Sequence, residues 1–145
     1  MKALIQRVDQ AEVAVRGKSI ASIKQGLLVF LGIYKDDTKD DVFKVCKKIL
    51  NLRIFNDEND KINYNIQDIG GKILLVSQFT LCANIKKGNR PSFVEAMEPS
   101  RAEKLFNNAR DELSNYISTV TGQFGAMMTV SLTNNGPMTI MVDTK

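Results

Sequence analysis

The chain contains no histidine. That removes the commonest general base near neutral pH and the commonest metal ligand. Any chemistry must therefore come from hydroxyls, amides, main-chain groups or the substrate itself. Cysteine is scarce as well. Cys46 and Cys82 are the two present. They build no disulfide framework and have no partner at structural zinc spacing. The expectation is a protein of the reducing cytoplasm with no metal and no cofactor. Long apolar runs are absent too. Residues 26–34 form the longest, whereas a bilayer span needs about 20 residues, so no membrane partner is expected. The opening Met1-Lys2-Ala3-Leu4-Ile5-Gln6-Arg7 lacks the apolar stretch of a signal peptide. No repeat, low-complexity tract or linker interrupts the chain.

What remains is ordinary in bulk. With 145 residues, 43% hydrophobic and 25% charged, the chain suits one globular domain over 1–145 with a real core. The net charge of +4 is a mild bias toward polyanions. Much of it is local, because Lys86, Lys87 and Arg90 fall within five residues. That cluster reads either as a solvated loop or as a phosphate contact.

Hydrophobic periodicity predicts strands over 1–8, 11–15 and 19–23, with Arg16-Gly17-Lys18 as a turn. Residues 27–33 are continuously apolar and read as a strand buried on both faces. Thr38 suits a helix N-cap, with Asp40 and Asp41 in the first turn, where the helix dipole favours anions. Val42, Val45, Cys46, Ile49 and Leu52 then share one helical face, so Cys46 reads as a small core residue. Asn56 to Asp60 is a polar turn and 63–68 a loop. Gly70-Gly71 precedes a strand over 72–81, and Cys82, with no base beside it, reads as packing. Pro99 and Ser100 open a second helix, with Ser100 and Glu103 matching a capping box. Its stripe is Leu105, Ala109, Leu113, Tyr116 and Val120, ending at Thr121-Gly122. Residues 124–133 and 138–142 read as two strands hinged at Asn134-Asn135-Gly136-Pro137, a hairpin by composition. The order predicts an α+β single domain with a mostly antiparallel or mixed sheet and two main helices.

Two segments stand out from that scaffold. Ser77-Gln78-Phe79-Thr80-Leu81 sets polar groups into an apolar strand. Alternation would place Ser77, Phe79 and Leu81 on one face and Gln78 and Thr80 on the other. Its main-chain N–H groups could serve an oxyanion if the strand ends in a pocket. Alone, it reads more simply as strand hydroxyls bonded to neighbouring backbone. In Asn134-Asn135-Gly136-Pro137, Asn and Gly tolerate positive φ, and an X-Pro bond has a real cis population. Alone, that too reads as an ordinary turn.

Together the two segments resemble the D-aminoacyl-tRNA deacylase family. The resemblance extends to Met1-Lys2-Ala3-Leu4-Ile5-Gln6-Arg7-Val8, Gly26-Leu27-Leu28-Val29 and Lys48-Ile49-Leu50-Asn51-Leu52-Arg53-Ile54-Phe55. It also takes in Arg90-Pro91-Ser92-Phe93 and Thr121-Gly122-Gln123-Phe124-Gly125-Ala126, and so covers essentially the whole chain. It implies hydrolysis of the ester between a D-amino acid, or glycine, and the 3′-terminal adenosine of tRNA. It implies a homodimer in which a cis Gly136-Pro137 of one subunit enters the other's pocket. Ser77, Gln78, Phe79 and Thr80 would line that pocket as the catalytic segment, and Met128 would lie near the chiral centre. Lys86, Lys87 and Arg90 would meet acceptor-stem phosphates. The family often carries Asp where this chain has Met127, usually Asp where it has Asn135, and usually Val where it has Met138.

Thr80 has no evident base to activate it, and an unactivated hydroxyl is a weak nucleophile. The resemblance implies instead that the substrate's ribose 2′-OH helps activate water, with the N–H of Phe79 or Thr80 steadying the oxyanion. The rival readings are a non-catalytic basic nucleic-acid-binding module and a synthetase editing domain. The first gives no reason for a Gly-Pro to enter a pocket, and no synthetase sequence accompanies the second.

Overall fold

The structure is a computed structural model that describes residues 1–86 and 88–144. Lys87 lies outside the described residues. One mixed sheet organises the chain, as α+β composition predicts. β1 (Lys2–Val15) is a single long strand rather than two, and it uses both edges. Along one edge β3 (Gly26–Gly32) pairs antiparallel with its first half, Lys2 to Val8, and β2 (Lys18–Ile23) with Ala11 to Val15. The turn between β1 and β2 sits at Arg16 and Gly17, both at positive φ.

Beyond β3 the sheet turns parallel. α1 (Lys39–Asn51) carries the chain across, and a two-stranded ribbon of β4 (Phe55–Asn56) and β5 (Ile62–Tyr64) follows where sequence suggested only turn and loop. β6 (Lys72–Ser77) then pairs parallel with β3, residues 26–31 against 72–77. After α2 (Pro99–Ser114), β7 (Thr119–Thr121) adds a short parallel strand beside β6.

β8 (Met128–Asp143) corrects the hairpin expectation. Residues 128–143 form one strand, antiparallel to β1 over its whole length and occupying β1's other edge. The register slips twice, between Gln6 and Val8 and between Val8 and Gln10. Asn134-Asn135-Gly136 absorbs the slips as an irregular bulge. A long partner strand keeps the chain going where local composition alone would fold it back.

Both helices lie over one face of the sheet. Their buried residues, among them Val42, Val45, Cys46, Ile49, Ala102, Phe106, Ala109 and Leu113, meet Ala3, Ile5, Leu27, Val29, Leu31, Ile73 and Leu75. A smaller cluster on the other face gathers Val8, Ala11, Val13, Leu28, Leu74 and Val76. Of the expected α1 stripe, Val42, Val45, Cys46 and Ile49 are buried, joined by Leu50, while Leu52 is the half-buried C-cap. The Asp41 carboxylate accepts from the Thr38 N–H and hydroxyl, each at 3.0 Å. The second helix differs from its expected form. Glu98, not Ser100, is the N-cap, with its carboxylate accepting from the N–H groups of Ser100 and Arg101. The helix stops at Ser114, Tyr116 is exposed and Val120 belongs to β7. The buried face of the helix is Ala102, Phe106, Ala109 and Leu113, with Leu105 only partly buried. At the edge of the core the α-ammonium of Met1 is buried against Asp37 at 2.9 Å. Asp37 also accepts from the Tyr34 N–H at 2.7 Å, which fixes the entry to α1.

Candidate active site

β6 does not run to Leu81. Its last ladder bond is donated by the Gln78 N–H to the Leu31 carbonyl at 2.9 Å. The chain then coils into a 3-10 turn over Phe79–Cys82, closed by Leu81 N–H to the Gln78 carbonyl and Ala83 N–H to the Thr80 carbonyl. The face-sharing expected of Ser77, Phe79 and Leu81 is thereby lost. Gly32 at the end of β3 is what leaves room. A β-carbon there would stand 2.9 Å from the Leu81 Cβ and 3.1 Å from the Gln78 carbonyl oxygen, inside ordinary contact. Gly32 thus sets how closely the turn seats on the sheet.

The turn forms one wall of a cleft of about 650 Å3. Ser77, Gln78 and Phe79 line it from one side, and Met127 and Met128 at the start of β8 from the other. Gly122 makes that second wall possible, because a β-carbon there would lie 2.6 Å from the Met128 sulfur. Glu98 beside α2 and Pro99 and Ala102 within its first turn, together with Phe93 and Phe124, are also part of the lining. Phe124 rests against core Phe106, ring centroids 5.7 Å apart, which holds it in place. Thr80 does not line the cleft. Its hydroxyl accepts from the Gln78 side-chain amide at the rim.

The cleft holds little ordinary acid–base chemistry. Glu98 is its one carboxylate among the described lining residues. Its pKa is held below the usual value, first by the Ser100 hydroxyl and then by the N–H groups of Ser100 and Arg101. Oε1 accepts from one of those N–H groups, and Oε2 accepts from the other and from the hydroxyl. It is a helix cap, poorly disposed to take a proton. Cys82, behind the turn, is buried, and burial pushes its thiol up to about 11, so it packs as expected and is no nucleophile at neutral pH. Among the described residues no cluster of Cys, Asp and Glu could hold a metal.

The expected site residues fall into three places. Ser77, Gln78, Phe79 and Met128 meet in the cleft, with Thr80 at its rim. Lys86 and Arg90 are exposed on the loop beside it, whose base is pinned by paired bonds between Asn84 and Ser92. Gly136 and Pro137 do not line this cleft and lie exposed on β8. Their peptide bond is trans, and no cis bond occurs among the described residues, which corrects the cis geometry the resemblance implied. Trans is favoured by about 0.5–1 kcal/mol for an X-Pro bond.

The bulge has a residue that sequence reasoning missed. Arg7, only 9% exposed, donates Nε to the Asn135 carbonyl at 3.2 Å and Nη1 to the Ile54 carbonyl at 2.5 Å and Asn56 Oδ1 at 3.3 Å. Gly136 sits at φ +99°, and a β-carbon on it would meet the Arg7 guanidinium. Asn134 adds a bond to the Arg7 carbonyl at 2.9 Å. The available signal was a lone arginine in the apolar alternation of β1. Gly32 and Glu98 gave no comparable signal.

Comparison with known proteins now bears on this geometry. A sequence model of the D-Tyr-tRNA(Tyr) deacylase family matches residues 4–143. A D-aminoacyl-tRNA deacylase of Aquifex aeolicus (strain VF5) is 53% identical, the alignment covering 100% of this chain and 99% of the relative. One of Thermosipho africanus (strain TCF52B) is 49% identical over 100% and 98%. Among solved structures, a c-Myc DNA unwinding element binding protein superposes with TM-score 0.96 at 40% identity, covering 100% of this chain and 99% of the other. A probable eukaryotic D-amino acid tRNA deacylase gives TM-score 0.83 at 17% identity, over 97% of each, a likeness of fold. The fold is a single-domain α+β one, and the family match and the named relatives make it a hydrolase. The chain belongs to the D-Tyr-tRNA(Tyr) deacylase family.

Proposed function

We propose that the cleft hydrolyses the ester joining a D-amino acid, or glycine, to the 3′-terminal adenosine of tRNA. The observation that carries this reading is a 3-10 turn whose first residue, Phe79, lines a cleft where Glu98, the one carboxylate among the described lining residues, is committed to capping a helix. The N–H groups of Gln78 and Leu81 are used internally. Those of Phe79 and Thr80 open the 3-10 turn, where no acceptor within the turn exists. Phe79 is part of the cleft wall and Thr80 follows it at the rim, so their N–H groups, turned to a bound ester, would suit its oxyanion, where one donor is worth about 10²–10³ in rate. With Glu98 committed to the helix, the proton must go elsewhere. On this reading the substrate's own ribose 2′-OH helps activate water.

Chirality is read, on this account, by main chain. Gly136 and Pro137 are exposed and remote from their own cleft. They are therefore free to enter the cleft of a second copy in a two-fold dimer, an arrangement in which each copy gives and receives. Carbonyls there would take the substrate's α-ammonium and fill the space an L side chain needs. Met128 would border the chiral centre. Lys86, Lys87 and Arg90 would neutralise phosphates of the acceptor stem without reading the amino acid. Free, buried Cys46 and Cys82 fit work in the reducing cytoplasm. A non-catalytic nucleic-acid module is less well supported, since it leaves the cleft and its donors without a task.

The test is a pair of substitutions, one in each partner. Thr80→Ala retains most of the turnover, because the Thr80 N–H rather than its hydroxyl is used. A tRNA ending in 2′-deoxyadenosine, charged through its 3′-OH, is turned over far more slowly. Abolished turnover in folded Thr80→Ala, with the 2′-deoxy substrate unaffected, would instead establish an acyl-enzyme on Thr80.

A further inference from the structure

Two aromatic rings at the mouth of the cleft are not used by the ester chemistry. Phe79 is 59% exposed and Phe93 36% exposed. Their centroids are 5.1 Å apart with planes at 68°, an edge-to-face pair. Phe79 comes from the 3-10 turn. Phe93 comes from the end of the basic loop, where the Asn84–Ser92 bonds at 2.8 and 3.0 Å hold it in place. The contact fixes the orientation of an exposed ring at the rim, next to the exposed cations Lys86 and Arg90. An aromatic face in water beside a cationic strip is the combination that grips single-stranded nucleic acid, because every base has a face to stack and every nucleotide a phosphate.

We propose that Phe79, braced by Phe93, is a stacking ledge for an unpaired base of the tRNA 3′ end that precedes the terminal adenosine. The occupant rests on the reading given under Proposed function, since an esterified terminal adenosine in the cleft draws the preceding nucleotides across its rim. Ring and cations then act on one strand. The cations neutralise its phosphates and the ledge orders a base. Stacking is indifferent to base identity, so the grip serves any tRNA. The ledge also couples affinity to register, because a strand seated one nucleotide out of place would stack no base there.

The experiment measures binding of an uncharged acceptor-stem minihelix by fluorescence anisotropy. One minihelix has its penultimate base intact and a second carries an abasic site there. Wild-type protein binds the abasic form about 5- to 150-fold more weakly, the range expected for one stacked base. In Phe93→Leu and in Phe79→Leu that ratio falls to near one. A wild-type ratio near one, or an unchanged ratio in both variants, overturns the ledge. So does a shift from dimer to monomer in sedimentation with the ratio intact, which would assign the rings to contact between copies. Circular dichroism of each variant establishes that it is folded. Should Phe79→Leu fail to fold, Phe93→Leu carries the decision. The readout needs no turnover. Base-dependent binding by a protein that leaves D-aminoacyl esters intact would keep the ledge and sink the hydrolase reading.

Discussion

Gly32→Ala is the sharpest probe of how the sheet positions the site. The new methyl would stand 2.9 Å from the Leu81 Cβ, 3.1 Å from the Gln78 carbonyl oxygen and 3.3 Å from the Cys82 sulfur. Carbon–carbon contact is comfortable at about 3.5–4.0 Å, so the gap must open by about 0.6–1 Å. β3 cannot supply that movement easily, being held between β1 and β6. The 3-10 turn, with the cleft on its far side, moves instead. Overpacking of this kind costs about 1–3 kcal/mol. At about 2.1 cal/mol/K per residue, 145 residues give an unfolding entropy near 0.3 kcal/mol/K, so Tm falls by about 3–10 °C. The N–H groups of Phe79 and Thr80 ride on the turn. A displacement approaching 1 Å costs about 10²-fold in a well-oriented reaction. The expected result is a kcat about 10- to 100-fold lower, with KM changed little, measured on D-aminoacyl-tRNA below the new Tm. A wild-type Tm would refute the packing argument. A lowered Tm with unchanged kcat would refute the link from Gly32 to the donors.

Arg7→Met removes three donated bonds from a nearly buried guanidinium and leaves the Ile54 and Asn135 carbonyls without it. It should lower unfolding free energy by about 2–3 kcal/mol in urea titration and reduce D-over-L discrimination, since the Gly136 bulge loses its anchor. Unchanged discrimination in the folded variant would show that Arg7 serves stability alone. Burial pushes the Cys46 thiol from 9.0 up to about 12. The unfolded chain therefore gives up that proton first, so stability is full below pH 9 and falls as pH rises from 9 toward 12. Chemical denaturation across that range should show the decline, and Cys46→Ala should flatten it.

Much of the scaffold was legible because its signals are local. Most of the apolar stripe of α1 and the continuous run of β3 needed only periodicity; Leu52 alone of the expected stripe falls past the helix, at its C-cap. Errors arose where a distant partner overrode a neighbour. Asn134-Asn135-Gly136-Pro137 has hairpin composition, yet β1 offers an edge long enough to carry residues 128–143 as one strand, and the turn residues became a bulge. Tyr116 and Val120 continue the α2 spacing, but the helix ends at Ser114 and the chain joins β6. The site was legible as residue types and not as geometry. Ser77-Gln78-Phe79-Thr80 was singled out as a strand. The 3-10 turn that points its N–H groups depends on the vacancy at Gly32, more than forty positions earlier, which no local pattern discloses. Arg7 is bound up with partners that only folding brings near, whereas Glu98 caps its helix through Ser100 and Arg101, its neighbours in sequence.

The most direct test is hydrolysis of one tRNA charged in turn with the D and the L form of the same amino acid. Release of free amino acid is followed at equal enzyme concentration. The D ester should be consumed while the L ester decays only at its spontaneous rate. Equal rates on both would contradict main-chain reading of chirality, and no release from either would contradict the assignment of the cleft as an esterase site.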